Sequence, residues 1–540
     1  MKKLIVISIL LTINVLIGKT QNKTVFGFFT DRDVYVSGET ILAKVFTPSD
    51  NPSRIVYLDL VNQHGKRICG VSLQVLNHQS DCFLQLPDSL SSGTFLVRAY
   101  QKNTASQFKI IREIWISNRF DGLEKTNQMH RLAGSEENKE IKTEQIVIQD
   151  IASEIKPNST VTSKIKIDES LRNQMDGNLL ICVAQTDPSF VPGYLTWSSS
   201  QGKEGLTEKK GIILSVTVTD KKTLEPASGI TVFLTIPDTV PGFQYYKTTK
   251  DGRYYFLMDN CNGSVQAVVQ CFSNAPAQRL KITLDELFSE PGILPEFTQQ
   301  PVPEEFKSNI TRNIDAVTFQ KIFNQEKLKL MPFTNVKQES YPYYGMPSNT
   351  VDPHLFIDLP NFTEISRELL PGVKFRNYNN EPTIRVINNG KHDFFSENPL
   401  VLIDGIPVSD LNVIKDMGTT DIKRIDICQS ERFYGDLRFP GVVAIYTTKA
   451  DYTRLHESDQ LIHLKLETVQ LPATLAEPII PEPTIPDLRQ VIFWNPSTEP
   501  QATIPVNFST SSVIGPFKLV VRGKLKNGTL IFVEKQFEVK

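Results

Sequence analysis

The fold prediction rests on NPLVLIDGIPVSDL (398–411), MGTTDIKRIDI (417–427) and FYGDLRFPGVVAIYTTK (433–449). The first stretch begins as an apolar strand and closes in the tight-turn pair Asp404-Gly405. Ser409 is a candidate N-cap for a following short helix, and Gly418 is suited to end that helix. VVAIYTT has the unbroken apolar character of a central strand. Together these patterns predict a small α/β fold.

Just upstream, FTEISRELLPGV (362–373) reads as a short helix that Pro371-Gly372 ends, and TIRVINNG (383–390) reads as a strand. The order of these elements over residues 359–450 resembles the plug domain of TonB-dependent outer-membrane receptors. The resemblance implies a structural role for the residues that match its motifs. They are Pro371, Gly372, Arg385, Asp404, Gly405, Tyr434, Gly435 and Gly441.

The chain departs from those receptors after the plug-like segment. A receptor continues into a large barrel, whose strands each need about 9–11 residues. The residues after 450 include the Pro-rich stretch LPATLAEPIIPEPTIPD (471–487) and no run of alternating strands. We therefore expect no import channel from this chain and a plug-like domain that acts detached from any barrel of its own.

The first β-rich block carries FTDRDVYVSGETILAKVFTPS (29–49), YLDLVNQHGK (57–66) and LPDSLSSGTFLVRAYQ (86–101). It resembles the second macroglobulin domain of the α2-macroglobulin family. The matching residues form turns and strand faces, which implies a β-sandwich and no chemistry. They are Tyr35, Gly38, Glu39, Leu86, Pro87, Gly93, Ala99 and Tyr100.

The remaining segments complete a prediction of a multi-domain, mainly β chain: stacked macroglobulin- or immunoglobulin-like sandwiches plus the small α/β plug-like domain. The block 211–275 carries GIILSVTVTD (211–220), LEPASGITVFL (224–234) and TTKDGRYYFL (248–257), and it resembles a carboxypeptidase-regulatory β-sandwich. The tail carries WNP (494–496), FSTS (508–511) and the turn pair Asn527-Gly528. It resembles the last domain of exported Bacteroidota proteins that combine these modules. The predicted divisions are 21–117 (macroglobulin-like), 118–145 (linker), 146–210 (second macroglobulin-like), 211–275 (regulatory-like), 276–358 (mixed connector with one helix, placed at 313–330), 359–450 (plug-like), 451–489 (Pro-rich linker) and 490–540 (C-terminal β-domain).

The N-terminal sequence MKKLIVISILLTINVLIGKTQN predicts a signal peptide over residues 1–20. Lys2 and Lys3 precede a short apolar run, which small and polar residues follow. An uncleaved membrane anchor is the alternative. No later stretch reaches the roughly 18 apolar residues of a spanning helix, so we expect no transmembrane segment in the mature chain. The predicted location is the periplasm or the periphery of the outer membrane.

Composition and motifs narrow the possible functions. Lys and Arg together number 58 and Asp and Glu 60, a net charge of −2 that argues against nucleic acid as a partner. The zinc-protease HExxH, nucleophile-elbow GxSxG, Walker and dinucleotide-binding patterns are all absent from the sequence. The macroglobulin thioester, Gly-Cys-Gly-Glu-Gln, is absent too. We therefore expect no catalytic residues, no metal site and no cofactor.

One loop is a candidate contact surface. YPYYGMP (341–347) places Tyr341, Tyr343 and Tyr344 around Pro and Gly, and tyrosine is favoured at protein interfaces. The alternative is a loop folded onto its own domain.

The leading functional hypothesis is a non-enzymatic envelope protein. Its plug-like domain would dock on or occlude an outer-membrane β-barrel, such as a transport or protein-secretion pore, with the sandwiches as spacers. The alternative is a macroglobulin-like protease inhibitor or binding module that lacks the thioester. A third hypothesis is an enzyme whose residues the sequence does not disclose.

Overall fold

The structure is a computed structural model, and it describes residues 26–48, 53–102, 107–121, 128–135, 140–199, 206–238, 240–259, 261–272, 279–292, 294–323, 328–330, 341–378, 381–450, 452–471, 473–475 and 486–540. The predicted signal peptide lies outside these residues. Within them the chain forms thirty-nine strands and four α-helices, so the predicted multi-domain, mainly β fold is confirmed. The chain divides into two compact units.

The first unit takes the described residues up to 211, from 288 to 333 and from 469 onwards. Its first sandwich pairs a three-stranded sheet with a larger one. The smaller sheet has the order β1 (Gly27–Thr30), β3 (Thr40–Phe46), β6 (Gln79–Gln85). The larger sheet has the order β15 (Tyr194–Ser199), β8 (Gln107–Ser117), β7 (Gly93–Tyr100), β4 (Ile55–Asn62), β5 (Arg67–Gln74), with β2 (Val34–Val36) beside β8. Apolar side chains such as Phe28, Leu58 and Val97 fill the core between them.

The second sandwich of this unit is built from two distant parts of the chain. One sheet has the order β10 (Ile141–Lys142), β39 (Leu530–Val539), β38 (Gly515–Lys524), β14 (Leu179–Gln185), β36 (Val491–Thr498), with β12 (Glu154–Ile155) beside β39. The facing sheet has the order β11 (Ile146–Gln149), β13 (Thr160–Ile167), β37 (Thr503–Ser509). Most of the predicted domain 146–210 therefore forms one sandwich with the predicted domain 490–540, whereas its last strand, β15, belongs to the first sandwich.

The pattern of burial explains this joint sandwich. β13 and β37 each alternate between exposed and buried residues, so each has one apolar face to cover. Their antiparallel pairing sets Ile165 opposite Ile504 and brings the two apolar stripes onto one side. Both stripes are then buried against Ile181 and Leu519 of the other sheet. Neither block has enough strands to cover its own apolar face.

Short elements link these sandwiches. Helix α1 (Glu169–Arg172) follows β13, and the long helix α2 (Glu304–Ile322) begins well before the 313–330 stretch where the sequence pattern placed it. Phe306 of α2 packs edge-on against Trp115 and stacks on Phe190. Two further two-stranded sheets are β9 (Gln128–Leu132) with β22 (Phe297–Pro301) and β23 (Leu328–Leu330) with β35 (Ala473–Leu475). β9 and β10 lie in the segment predicted as a linker, 118–145.

The second unit takes residues 212–287 and 334–468, and its first part is a sandwich. One sheet has the order β19 (Arg253–Asp259), β16 (Gly211–Asp220), β21 (Leu280–Leu284). The other has the order β18 (Gly242–Lys247), β17 (Thr231–Ile236), β20 (Ser264–Phe272), β34 (Leu461–Glu467). β34 comes from the predicted Pro-rich linker, so this sandwich is completed by chain that lies beyond the plug-like segment.

The rest of the second unit is the mixed domain. Its main sheet has the order β24 (Asn349–Val351), β30 (Ile422–Cys428), β33 (Val442–Thr447), β28 (Leu400–Ile403), β29 (Ile406–Val408). Helices α3 (Phe362–Glu368) and α4 (Asn412–Lys415), a sheet of β25 (Val373–Tyr378), β26 (Glu381–Asn388) and β27 (Asp393–Phe394), and a hairpin of β31 (Arg432–Tyr434) and β32 (Leu437–Phe439) complete it. The predicted α/β fold with a central strand at 442–447 is present, and it extends upstream to β24.

Candidate interaction site

The Asp404-Gly405 turn holds the end of the central strand. Both residues have positive φ, +48° and +86°, as a tight β28–β29 turn requires. The Asp404 carboxylate is 5% exposed and accepts hydrogen bonds from the Thr447 amide at 2.8 Å and the Thr447 hydroxyl at 2.7 Å. Asp404 therefore ties the start of this turn to the end of β33, which is a structural role.

Pro371 and Gly372 turn the chain from α3 into β25. The Pro371 carbonyl oxygen accepts a hydrogen bond from the side-chain nitrogen Nε2 of Gln429 at 2.9 Å. Gly372 has a φ of +70°, and a Cβ there would lie 2.3 Å from both Gln429 Nε2 and Ile387 Cγ2. Only glycine fits this position, because both its backbone conformation and its neighbours exclude a side chain.

Arg385 and Gly441 also have structural positions. Arg385 Nη1 donates to the Phe395 carbonyl oxygen at 2.9 Å and to the Ser396 carbonyl oxygen, which holds the chain that follows β27. Gly441 has a φ of +102° where β33 begins, and a Cβ there would lie 3.0 Å from the Cys428 carbonyl oxygen. Both residues therefore shape the backbone of the mixed domain, although Arg385 itself is exposed.

Tyr434 and Gly435 lie on the β31–β32 hairpin, which is hydrogen-bonded to β18 of the sandwich in the same unit. The Tyr434 hydroxyl donates to the Phe243 carbonyl oxygen at 2.9 Å. Asp436 accepts from the Tyr245 hydroxyl and from Lys247 Nζ, each at 2.5 Å. These two hydrogen bonds hold the pKa of Asp436 below its usual range, and the Asp436 carboxylate raises the pKa of Tyr245.

The predicted tyrosine contact loop divides between the interior and the surface. Tyr343 stacks on Phe243 with ring centres 4.0 Å apart. Tyr344 is 2% exposed, and its hydroxyl lies 3.0 Å from Asp426 Oδ2 and 2.7 Å from the Tyr446 hydroxyl. Burial raises the pKa of Tyr343 and Tyr344. These two residues are folded onto their own unit, whereas Tyr341 is 69% exposed.

The most prominent exposed apolar feature of the mixed domain is one that the sequence analysis did not identify. Leu355, Phe356 and Ile357, here called the Leu355 segment, are 79%, 54% and 74% exposed. Leu355 ends a single 3₁₀ turn that starts at the buried Pro353, whose preceding residue Asp352 caps it by accepting from the His354 amide at 3.0 Å. Three consecutive exposed apolar side chains of this size are a typical mark of an interaction site.

Both ends of the Leu355 segment are anchored. Downstream, Leu359 is buried, its amide donates to the Thr419 hydroxyl at 3.1 Å, and its carbonyl oxygen accepts from the Thr419 amide at 3.0 Å. Upstream, the Asp352 cap and Pro353 fix the start. The segment is thus held outward between two fixed points. The apolar run was visible in the sequence, but its exposure depends on which neighbours fold over it.

The six cysteines carry free thiols. Burial raises the pKa of Cys69, Cys182 and Cys271 to about 12, which disfavours the reactive thiolate. Within the described residues, no group of three or more His, Cys, Asp or Glu side chains is placed to hold a metal ion. In the same part of the chain, no helix has the length and apolar character to cross a membrane.

Comparison with known proteins finds similarity in structure and none in sequence. No protein-family model matches the chain, and no curated protein matches it. A variant of Salmonella alpha-2-macroglobulin is similar at 11% identity and a TM-score of 0.23, over 95% of this chain and 39% of that one. Trypsin-activated alpha-2-macroglobulin from Escherichia coli is similar at 10% identity and a TM-score of 0.22, over 95% and 41%.

A tetra-tandem repeat from the extending region of a large adhesion protein is also similar. Its sequence identity is 8% and its TM-score 0.13, over 93% of this chain and 96% of that one. The chain spans about two fifths of the length of the two macroglobulins.

Proposed function

We propose that this chain is a non-enzymatic, exported envelope protein whose mixed domain docks on or occludes an outer-membrane β-barrel, such as a transport or protein-secretion pore. The sandwiches would act as spacers on the periplasmic side. The observation that carries the proposal is the Leu355 segment, because it gives the plug-like domain an apolar surface suited to a protein partner. The absence of catalytic motifs from the sequence supports the non-enzymatic part, and the signal-peptide pattern supports export.

The energetics favour a protein partner for this surface. Burying apolar area stabilises a complex by about 25 cal/mol per Å². Ordering flexible side chains and loops on binding opposes that gain. Because the Leu355 segment is anchored at Pro353 and Leu359, its backbone has little freedom left to lose. The exposed acidic residues Asp352 and Asp358 flank the segment in the sequence, and polar groups beside an apolar centre are usual in interfaces.

Co-purification with detergent-solubilised barrel proteins tests the proposal. We would compare the wild type with a variant that combines Leu355→Ser, Phe356→Ser and Ile357→Ser. We expect a heat-modifiable barrel protein to be retained by the wild type and lost from the variant, since serine removes the apolar contact. Thermal unfolding should be unchanged, because the three side chains are exposed in the free protein.

The matched control is Leu224→Ser, which removes another apolar side chain, 72% exposed, from the sandwich of the same unit. It should retain the barrel protein. Recovery of the wild type without any barrel protein at all salt concentrations would refute the proposal, as would equal retention by the Leu355-segment variant.

A thioester-free macroglobulin-like protease inhibitor is the second candidate, and the two sandwiches of the first unit are the feature that favours it. It predicts that the protein slows cleavage of a large substrate such as casein while leaving a short chromogenic peptide unaffected. Equal cleavage of casein with and without the protein would remove this candidate.

A further inference from the structure

A cleft of about 500 Å³ opens on the first sandwich of the first unit. Four parts of the chain line it: the turn from β4 to β5, the start of β7 with the two serines before it, Asp121, and the strand β9. Its volume lies within the roughly 300–1,000 Å³ typical of small-molecule sites. The plug-like and macroglobulin resemblances assign nothing to this place, and the cleft is not part of the Leu355 segment.

The walls are rich in polar hydrogen-bonding groups. Asn62, Gln63 and Gln128 contribute side-chain amides, His64 and His130 contribute imidazoles, and three Ser or Thr residues contribute hydroxyls. Amides and hydroxyls offer both donors and acceptors. A ligand that carries many hydroxyl groups, each a donor and an acceptor, matches such walls.

The charges of the described lining residues disfavour an anionic ligand. Asp121 is the one carboxylate among these described residues, and none of them is Lys or Arg, so they offer a phosphate, sulfate or other anion neither of these cations as a partner. The one large apolar residue of the lining, Phe95, is 4% exposed and packs into the sandwich core.

The walls are held in place before any ligand binds. Asn62 Oδ1 accepts from the His64 amide at 3.0 Å and from the Lys66 amide at 2.9 Å, which fixes the β4–β5 turn. The Thr94 hydroxyl donates to the His130 carbonyl oxygen and joins β7 to β9. Such preorganisation reduces the conformational entropy that is lost when a ligand binds.

Gly93 leaves the main chain of the cleft accessible. A Cβ at Gly93 would meet no atom within 4 Å, so open space lies over this residue. A sugar ring can approach the backbone there, whereas a side chain would occupy that space. From the volume, the many hydrogen-bonding groups of the walls and this open floor, we propose that the cleft binds a neutral carbohydrate.

A glycan array carrying neutral and acidic oligosaccharides, probed with the full chain, tests the proposal. We expect neutral glycans to bind in preference to sialylated or sulfated ones. Titration calorimetry then measures the affinity of a neutral oligosaccharide from the array for the wild type and for a variant that combines Gln63→Ala and Gln128→Ala. We expect its affinity to fall by about tenfold or more, since each amide supplies hydrogen bonds.

The control is Gln74→Ala, which removes an exposed glutamine at the opposite end of β5 from the cleft and should leave the affinity unchanged. Circular dichroism checks that all variants fold alike. The proposal is overturned if no glycan binds, if only acidic glycans bind, or if the double variant binds the neutral glycan as the wild type does. Barrel binding through the Leu355 segment is measured separately and is unaffected by these outcomes.

Discussion

The side chain of Gln470 pairs with the main chain of Phe83 in the manner of a neighbouring β-strand. The Phe83 amide donates to Gln470 Oε1 at 3.0 Å, and Gln470 Nε2 donates to the Phe83 carbonyl oxygen at 2.7 Å. Phe83 lies on β6, which is the last strand of its sheet. The Gln470 amide also donates to the Ser72 carbonyl oxygen on β5 at 2.8 Å. Gln470 therefore protects two strand edges that would otherwise invite pairing with another chain.

Replacing Gln470 should weaken this protection. Gln470→Ala removes both hydrogen bonds to Phe83, and we expect the free energy of unfolding to fall by about 1–2 kcal/mol. Gln470→Glu keeps an acceptor for the Phe83 amide but sets a carboxylate oxygen against the Phe83 carbonyl oxygen, so we expect it to lose at least as much stability as the alanine variant. Hydrogen exchange at the Phe83 amide and chemical denaturation measure the two effects. Unchanged exchange in the alanine variant would contradict the role assigned to Gln470.

Asp404 should tolerate asparagine far better than alanine. Asp404→Ala loses two hydrogen bonds to Thr447 and places alanine at a φ of +48°, so we expect a loss of about 3 kcal/mol. Asp404→Asn keeps an acceptor, and asparagine adopts positive φ more readily than alanine, so we expect the free energy of unfolding to fall by only about 1 kcal/mol. Urea denaturation measures both. Equal losses would show that the carboxylate contacts do not matter.

Gly435 and Gly229 form a matched pair for testing the hairpin contact. Both have positive φ, +60° and +74°, but a Cβ at Gly435 would lie 2.0 Å from the Tyr245 hydroxyl, and one at Gly229 would meet nothing within 4 Å. We expect Gly229→Ala to cost about 1 kcal/mol, from the backbone alone. Gly435→Ala should cost at least about 1 kcal/mol more in thermal unfolding. A cost no greater than that of the control would place the hairpin tip away from Tyr245.

Lys44 should make the stability of the first unit depend on pH. Burial lowers its pKa from 10.5 to about 8, a change that Asp81 partly opposes, and its Nζ donates to the Pro496 carbonyl oxygen. Because the folded-state pKa is the lower one, this contribution to stability is full above pH 10.5 and is lost as the pH falls through 8. It amounts to roughly 3 kcal/mol.

Lys44→Met isolates that contribution, because other groups that titrate at high pH are present in both proteins. We expect the unfolding free energy of the wild type, relative to the variant, to rise between pH 7 and pH 10.5. Guanidinium denaturation at several pH values gives the difference. A difference that stays constant with pH would mean that Lys44 titrates with its ordinary pKa in the folded protein.

Local patterns in the sequence were sufficient to predict most strands and several turns. Asp404-Gly405 is a tight turn because few residue pairs adopt two successive positive φ angles, and this preference is visible without any partner. The small α/β fold followed from the apolar run VVAIYTT and its neighbours. The helix at 304–322 was placed too late in the chain, because the pattern used to place it began at residue 313.

The candidate site was less accessible from the sequence. Tyr343, Tyr344 and Tyr341 share one loop, yet two of them are packed inside and one is exposed, because Phe243 and Asp426 approach only part of the loop. The Leu355 segment looks like any buried apolar run in the sequence. Whether a segment is buried depends on which distant residues pack over it, and the segment's own sequence does not specify those residues.

The sequence by itself determined the mainly β character, the turns and the central strand of the mixed domain, because those features depend on backbone preferences and on apolar periodicity within a few residues. Tertiary structure alone decided that residues 491–539 complete the sandwich begun at 146 and that 461–467 complete another. A strand carries an apolar face and unpaired backbone groups that many other strands can satisfy. Which strand pairs with it depends on how the whole chain buries its apolar surface, and that is decided only in the tertiary structure.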